Sequence, residues 1–304
     1  MSREVTALGI LLALLAACAG PEEPTSSAST SAPSASTPAL AASLPRDGTI
    51  WIPHPEAKTR LFARLCRPAG DGPTPLAVVN HGSPPNAAAR PTMAPAACNH
   101  ETVQWFLARG FAVALPMRQG YGQTGGLWME SYGPCSDSNF ARAGLQSAAD
   151  VSAAIRFLLD QGLGAPGKVL VVGQSAGGWA TLALSSQDPP EVGAYVNFAG
   201  GRGGWAHNRP HSNCSPDNLA RDAGVYGRTA RGPTLWVYAE NDTYFAPELV
   251  RRMKEAFAGA GGRAELHQLG PYGADGHSLF FGRGGSRIWG PPVEKFLKET
   301  GAIK

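Results

Sequence analysis

The chain has 304 residues, of which 43% are hydrophobic and 16% are charged, and its formal net charge is +3. This length suits one large globular domain or two small ones, and the glycine and proline content stays below the level that indicates low-complexity disorder. The 26 basic and 23 acidic residues nearly balance, so no field is expected that would concentrate nucleic acid or an anionic membrane surface. Nucleic-acid binding is therefore excluded from the expected functions.

Residues 1–18 are predicted to be a secretion signal. An apolar run from Val5 to Ala17 is too short to span a bilayer and ends in Leu-Ala-Ala-Cys18. Small residues before a cysteine resemble the bacterial lipobox, which implies cleavage before Cys18 and lipidation of its thiol. The alternatives are an ordinary signal peptide cut near Ala17 or Gly20, or a short membrane anchor. Since Ala19 rather than aspartate follows, the resemblance favours a bacterial envelope protein that is lipid-anchored at the outer membrane, with secretion as the alternative.

Residues 19–45 are predicted to be a disordered tether. They consist almost entirely of serine, threonine, alanine and proline, and such a segment cannot bury enough apolar surface to offset the entropy of ordering. Residues 46–304 are expected to form one domain. In this interpretation the protein touches a membrane only through the lipid on Cys18.

The ordered part alternates predicted strands and helices. Eight short apolar runs are predicted strands, the first two an antiparallel hairpin and the others of the kind buried in a parallel sheet: Thr49–Pro53, Leu61–Arg67, Leu76–Asn80, Phe111–Pro116, Lys168–Gly173, Ala194–Phe198, Thr234–Ala239 and Ala264–Leu269. Five segments with apolar residues at helical spacing are predicted helices: Cys98–Arg109, Phe140–Gln161, Ser175–Ser186, Ala246–Gly259 and Pro292–Thr300. This order predicts an α/β fold with a mostly parallel eight-stranded sheet, helices on both faces, and a ligand site beyond the carboxyl ends of the strands.

Residues 201–233 interrupt this alternation and are predicted to form a short cap over the sheet. Within them, His207, His211 and Cys214 form a loose cluster, but Pro210 prevents a helix from aligning the two histidines. No metal and no cofactor are therefore expected.

A predicted strand, a tight turn and a predicted helix surround Ser175. The segment reads Val-Leu-Val-Val-Gly173-Gln-Ser175-Ala-Gly177-Gly-Trp. The small neighbours are needed because such a serine takes a strained backbone conformation while the strand and the helix pass close together. The Gly-x-Ser-x-Gly string alone is a weak signal, but this context makes Ser175 the expected nucleophile.

A serine nucleophile needs a base within hydrogen-bond reach and a carboxylate that orients the base. His277 follows the last predicted strand and Asp242 follows the strand before it, so both are expected beside Ser175. Glu240 is the rival acid. The alternative for His277 is an ordinary histidine in a surface loop.

The oxyanion of an acyl-transfer intermediate needs two N–H donors. The backbone of Ala176, directly after the nucleophile, is one expected donor. The other is expected from Ser83 in His81-Gly82-Ser83-Pro84-Pro85, because the prolines have no N–H and hold the loop rigid. The alternative is that His81-Gly82 is only a turn.

These motifs together resemble the α/β-hydrolase superfamily. The resemblance rests on a strand ending in His-Gly, on Arg118-Gln-Gly-Tyr-Gly122, on Gly-Gln-Ser-Ala-Gly-Gly, on the acid after the seventh strand and on Gly-His-x-x-Phe. Within the superfamily the chain is most similar to the dienelactone-hydrolase-like and secreted serine esterase branch, near the catalytic domains of prolyl-oligopeptidase-like enzymes. The resemblance covers residues 49–304. Ser175 stands where dienelactone hydrolases have cysteine, so lactone hydrolysis is not implied.

Aromatic side chains near the strand ends are expected to line a substrate pocket. With His81, the residues expected to bind substrate are Tyr121, Trp128, Trp205 and Tyr244. Each of them taken alone is more often ordinary packing.

Four cysteines remain after Cys18, and in an oxidising compartment an even number suits two disulfides, for which three pairings are possible. Cys135 follows Trp128–Pro134, which is predicted to be a rim segment of the site, and Cys214 lies in the predicted cap, so we expect these two to be bonded. Cys66 and Cys98 are then a second pair or free thiols.

The expected function is that of a serine carboxylesterase acting on small or medium acyl esters through an acyl-enzyme. Its expected partner is a small-molecule ester. One alternative is a prolyl-oligopeptidase-like peptidase, although no propeller domain precedes the hydrolase part. The other is a non-catalytic surface lipoprotein on a hydrolase scaffold.

Overall fold

The structure is a computed structural model that describes residues 44–70, 74–165 and 168–303. The predicted signal sequence, its Cys18 and all but the end of the predicted tether lie outside the described residues. Among the described helices, none combines the length and the hydropathy that crossing a membrane requires.

The described strands form one eight-stranded sheet in the order β1-β2-β4-β3-β5-β6-β7-β8. The strands are β1 Asp47–Pro53, β2 Arg60–Cys66, β3 Leu76–Asn80, β4 Ala112–Pro116, β5 Val169–Gln174, β6 Val192–Phe198, β7 Thr234–Ala239 and β8 Ala264–Leu269. β1 and β2 form an antiparallel hairpin, β2 pairs antiparallel with β4, and every later pair is parallel. The predicted α/β fold with a mostly parallel sheet is confirmed.

The burial of each strand follows its place in the sheet. Every residue of β3, β4 and β7 is buried, because helices cover both faces of these central strands. In the edge strand β1, buried and more exposed residues alternate in the second half, and β8 at the other edge is only half-buried. Continuous apolar runs were thus a reliable sign of the central strands, while the edge strand β1 shows the alternation of a strand that is covered on one face.

Within the described residues six α-helices cover the sheet: α1 Glu101–Leu107, α2 Phe140–Asp160, α3 Ala176–Ser185, α4 Pro216–Gly227, α5 Pro247–Gly259 and α6 Gly285–Glu299. The helices α2 to α5 share one hydrophobic cluster, which contains Trp179 and Trp236. The helices α1 and α6 share the other cluster, which contains Phe106 and Trp289. The two clusters lie on opposite faces of the sheet, since alternate residues of the central strands, such as Val78 and Val79, belong to different clusters.

The last helix begins earlier than predicted. The apolar spacing predicts a helix over Pro292–Thr300, but α6 runs from Gly285 through Pro291 and Pro292, although proline has no N–H to donate within a helix. Both Trp289 before the prolines and Val293 after them are fully buried. Packing against the sheet therefore outweighs the lost backbone hydrogen bonds.

Helix α4 lies within residues 201–233, where a cap was expected. Its apolar stripe, which includes Leu219, Ala223 and Tyr226, is buried, and the helix packs mainly against α5. This half of the segment therefore belongs to the helix layer on one face of the sheet. Only the preceding loop, residues 201–215, lies near the carboxyl ends of the strands.

Candidate active site

Ser175 occupies a strained turn between β5 and α3. Its backbone has φ 56° and ψ −120°, in the positive-φ region that residues other than glycine rarely adopt. Its N–H donates to the carbonyl oxygen of Phe198 over 2.9 Å, and its own carbonyl accepts from the N–H of Trp179 over 2.9 Å. The side chain is only 8% exposed. The turn therefore presents one hydroxyl at the end of a rigid strand.

The glycines on either side of Ser175 allow three backbone segments to meet. A Cβ atom added to Gly173 would lie 2.1 Å from the carbonyl oxygen of Gly177. A Cβ added to Gly177 would lie 2.4 Å from the carbonyl oxygen of Asn80, at the end of β3. No side chain fits at either position, as the motif predicted.

Asp242 and His277 form a buried pair beyond the ends of β7 and β8. His277 Nδ1 lies 3.1 Å from both carboxylate oxygens of Asp242, whose side chain is fully buried. Asp242 Oδ1 also accepts from the N–H groups of Tyr244, over 2.8 Å, and Phe245, over 3.0 Å. The carboxylate is thus held by its own loop and in turn orients the imidazole.

Gln174, the residue before Ser175, links the turn at Ser175 to His277. Gln174 Nε2 donates to the carbonyl oxygen of His277 over 2.9 Å. In the described part of the chain no hydrogen bond joins Ser175 Oγ to the ring of His277; such bonds are often long in unliganded sites and shorten when substrate binds. The rival acid Glu240 has an exposed side chain, whereas Asp242 contacts the imidazole.

Asp275 is a residue that the sequence analysis missed. Its Oδ1 accepts from the N–H groups of His277 and Thr243, each over 3.0 Å, and so ties the loop after β8 to the loop after β7. The ring of Tyr244 stacks on the imidazole of His277 with centroids 3.9 Å apart. An aspartate two residues before the histidine, in Ala-Asp-Gly-His, was the available signal, because aspartate side chains readily accept from the backbone two residues ahead.

The loop after β3 lies against the nucleophile turn. A Cβ atom added to Gly82 would lie 3.1 Å from Cβ of Ser175. Ser83 Oγ lies 3.0 Å from the hydroxyl oxygen of Tyr121, which also accepts from Trp128 Nε1 over 2.9 Å. Tyr121 is therefore buried behind Ser83, as a support for the loop.

His81 is held by this same loop and by Arg118. Burial, and then the positive charge of Arg118, lower the pKa of His81 to about 3, so its ring is neutral at ordinary pH. His81 Nε2 accepts from the N–H of Arg118 over 3.1 Å, which assigns the proton to Nδ1, 2.6 Å from the carbonyl oxygen of Gly82. These bonds make His81 a structural anchor for the loop, and His81 also lines a cavity of about 410 Å³.

A buried ion cluster supports the loop after β3 through Tyr121. Glu130 is 1% exposed and contacts Arg118 and Arg202, and the hydroxyl of Tyr121 donates to its Oε2 over 2.8 Å. Burial opposes ionisation of this carboxyl, but the two guanidinium groups together lower the pKa of Glu130 well below its usual range. No sequence motif indicates the cluster, because Arg202 follows β6 whereas the other members lie between β4 and α2 and meet it only in the fold.

A pocket of about 130 Å³ opens directly at Ser175. Ser83 and Ala176, the two expected oxyanion donors, line it, and so do Trp128 and Tyr244. Trp205, also expected to line the pocket, stacks behind Tyr244 with centroids 5.5 Å apart.

The charged side chains among the described residues that line the pocket are all basic. None of the described residues lining it is acidic, and two of them, Arg90 and Arg202, are arginines. An electrostatic surface of this sign favours anionic groups over cationic ones.

The expected disulfide is formed, and the other two cysteines are a second pair rather than free thiols. Cys135 is bonded to Cys214, with Cα atoms 5.0 Å apart, and Cys66 is bonded to Cys98. Asp47 lies near the second pair, but sulfurs joined in a disulfide are not thiolate ligands for a metal. Two disulfides indicate an oxidising location, either extracellular or periplasmic.

Comparison with known proteins gives one family and several solved structures with a similar fold. Residues 57–251 match the model of the X-Pro dipeptidyl-peptidase (S15) family. No curated protein matches the sequence.

Among solved structures, an esterase of Pyrococcus furiosus is 14% identical, with a TM-score of 0.55 over 86% of this chain and 95% of the esterase. A putative dienelactone hydrolase of Klebsiella pneumoniae is 18% identical, with a TM-score of 0.55 over 84% of this chain and 98% of that one. The acylaminoacyl peptidase of Pyrococcus horikoshii is 15% identical, with a TM-score of 0.59 over 84% of this chain but only 42% of the peptidase. At such identities the likeness concerns the fold.

Proposed function

The chain belongs to the X-Pro dipeptidyl-peptidase (S15) family and has a dienelactone-hydrolase-like α/β-hydrolase fold, and from this premise we propose that it is a serine carboxylesterase. Its substrates in this proposal are small or medium acyl esters. One observation carries the proposal: the buried Asp242–His277 pair lies next to the strained turn that presents Ser175. A non-catalytic lipoprotein would have no need of a strained serine beside an oriented histidine.

In the proposed reaction Ser175 Oγ attacks the ester carbonyl carbon while its proton passes to His277 Nε2. Asp242 keeps the proton on Nδ1 and stabilises the imidazolium that forms. The tetrahedral intermediate collapses when the C–O bond to the alcohol breaks, and the alcohol oxygen takes the proton from Nε2. Water then attacks the acyl-enzyme by the same route, which releases the acid and restores Ser175.

The backbone N–H groups of Ser83 and Ala176 are the proposed donors to the oxyanion. Two features support this role. Ala176 is the first residue of α3, where N–H groups have no partner within the helix, and Ser83 lines the same pocket. Each such donor commonly contributes about 3–4 kcal/mol to transition-state stabilisation.

The family match favours a second candidate, an X-Pro peptidase. A dipeptidyl-peptidase cuts close to a free N-terminus and must bind the α-ammonium group near the scissile bond, which a carboxylate would stabilise. The described lining of the pocket instead carries Arg90 and Arg202. This charge supports an ester substrate over a dipeptidyl one.

Lipid anchoring through Cys18 and a tether over residues 19–45 complete the proposal. The oxidising location that the two disulfides indicate is consistent with export, but the anchor itself rests on the sequence. Mass spectrometry of the N-terminal peptide from membranes would test it, and an unmodified Cys18 would contradict it.

A labelling experiment tests the catalytic proposal. The folded protein is treated with a fluorophosphonate probe, and its rates on p-nitrophenyl butyrate and Ala-Pro-p-nitroanilide are compared. We expect labelling at Ser175, loss of labelling in Ser175→Ala, and hydrolysis of the ester only. Absence of labelling would contradict a serine hydrolase, and hydrolysis of the anilide alone would favour the peptidase.

A further inference from the structure

Arg90 is the one guanidinium lining the Ser175 pocket that has no carboxylate partner among the described residues. Its central carbon lies 3.5 Å from the centroid of the Trp128 ring, so the group is held flat against an aromatic face. Its Nε is buried and has no hydrogen-bond partner. A half-buried arginine that is stacked but unpaired keeps its N–H groups available for a ligand.

Arg202, the other guanidinium of the pocket, adds to the positive charge. It is 4% exposed and contacts Glu130, yet its Nε is buried without a hydrogen-bond partner. Glu130 is shared with Arg118, so one carboxylate faces two guanidinium groups. The next acid, Asp150, offsets part of this charge, but its two oxygens accept from the backbone and side chain of Gln119.

A neutral substrate would not offset the positive charge of Arg90 and Arg202. A neutral acyl chain would leave the Arg90 guanidinium desolvated beside it without a partner, which is unfavourable. A carboxylate would make charge-assisted hydrogen bonds to the same group, and these are about twice as strong as neutral ones. The pocket of about 130 Å³ is small, which favours a short substrate.

We propose that the pocket beside Ser175 binds a carboxylate of the ester substrate through Arg90, so that the enzyme prefers short esters that carry a negative charge. The inference rests on the proposed esterase function and adds its substrate class. The carboxylate can belong to the acyl part, as in the half-ester of a short dicarboxylic acid, or to the alcohol part. Either source offers the same group to the same guanidinium.

Two pairs of matched substrates separate these sources. In the first pair, monoethyl succinate carries the charge on its acyl group and ethyl butyrate is its neutral counterpart. In the second pair, 4-acetoxybenzoate carries the charge on its leaving group and phenyl acetate is its neutral counterpart. The readout is the ratio of kcat/KM for the charged ester to that for the neutral ester. We expect a ratio of at least about 10 in one pair, falling as NaCl is added because salt screens the attraction.

Arg90→Met and Arg60→Met provide the matched variants. Arg60 also lies over a tryptophan, 5.2 Å from the Trp51 ring centroid, but it does not line the pocket. We expect Arg90→Met to lower the ratio by about 10–100-fold, the range expected for the loss of a charged hydrogen bond. Arg90→Lys should retain part of the preference, and Arg60→Met should leave the ratio unchanged.

A binding measurement keeps the inference testable if turnover is slow. Succinate is titrated into Ser175→Ala while the tryptophan fluorescence is followed, since Trp128 lies under Arg90. Arg90→Met in the same background should weaken succinate binding at least about tenfold. The inference is overturned if the ratio is one or less in both pairs, if Arg90→Met leaves it unchanged, or if succinate does not bind. Failure of the esterase proposal is a different result: neither ester pair nor the fluorophosphonate probe reacts.

Discussion

Ser175 depends on partners that lie far along the chain and meet only in the fold. A serine hydroxyl is a poor nucleophile until a base takes its proton, and in the proposed mechanism that base is His277, whose ring contacts Asp242. We expect Ser175→Ala and His277→Ala each to lower kcat by about 10³–10⁶-fold, because residues of a triad act as a unit. Thermal unfolding should show that both variants remain folded.

The acid can be assigned by a matched pair of substitutions. Asp242→Asn should lower kcat by about 10²–10⁴-fold, since the amide cannot stabilise the imidazolium. Glu240→Gln should leave the rate unchanged because that side chain is exposed. A crippled Glu240→Gln enzyme beside an active Asp242→Asn enzyme would show that the assignment is wrong.

His81 makes stability depend on pH. Its folded pKa, about 3, is below that of the unfolded chain, about 6.5, so the unfolded state binds more protons between these values. Stability is therefore unaffected above pH 7 and decreases as the pH falls from 6.5 towards 3. We expect the Tm to fall by several degrees between pH 6.5 and 4.5.

The same melting experiment on His81→Asn isolates this contribution, because asparagine does not titrate. His207→Asn is the control, since His207 is exposed and its positive φ of 58° suits asparagine. If His81→Asn keeps the full decrease of Tm over this pH range, the titrating group is another one.

At the scale of elements, the junction of β5, α3 and β3 leaves no room for a side chain. Gly177→Ala would place a Cβ atom 2.4 Å from a backbone carbonyl oxygen, and the backbone can relieve this only by moving the nucleophile turn. We expect a loss of about 1–3 kcal/mol in the free energy of unfolding together with most of the activity.

Gly259→Ala is the matched control for that substitution. Gly259 ends α5, and an added Cβ atom there would meet nothing within 4 Å. Alanine at this helix position should stabilise by up to about 1 kcal/mol and leave activity intact. Chemical denaturation measures both changes, and equal stability of the two variants would contradict the close approach at Gly177.

The two disulfides connect elements of the whole molecule with different consequences. Cys135–Cys214 closes a sequence separation of 79 and joins the rim segment to the loop 201–215, whereas Cys66–Cys98 closes a separation of 32. In the chain-entropy model the two bonds contribute about 4.5 and about 3.7 kcal/mol. We expect Cys135→Ser with Cys214→Ser to lower the Tm and broaden the ester selectivity.

Cys66→Ser with Cys98→Ser is the control for that variant. It should lower the Tm by a similar amount while the relative rates on short and longer acyl esters stay as they are, because this bond does not hold the loop 201–215, whose first four residues line the Ser175 pocket. An equal loss of selectivity in both double variants would mean that the disulfide acts through global stability alone.

The sequence by itself determined the parts of this protein that depend on local patterns. Central strands are continuous apolar runs because both faces are covered, and Gly-Gln-Ser-Ala-Gly between a strand and a helix specifies the nucleophile turn through steric limits that need no distant residue. Chain order along a parallel sheet also brought Asp242 and His277 to the same edge, since each follows a strand at its carboxyl end.

Tertiary structure decided what local pattern does not encode. Packing in the helix layer buries the apolar stripe of α4. Packing on the sheet also keeps α6 helical across its two prolines, against their low helix propensity. Glu130 and Arg90 belong to no sequence motif. Glu130 reaches the Ser83 loop through Tyr121, and Arg90 lies over Trp128, only because segments distant in sequence meet in the fold. Electrostatic interactions depend on distance and burial, and both are properties of the folded chain.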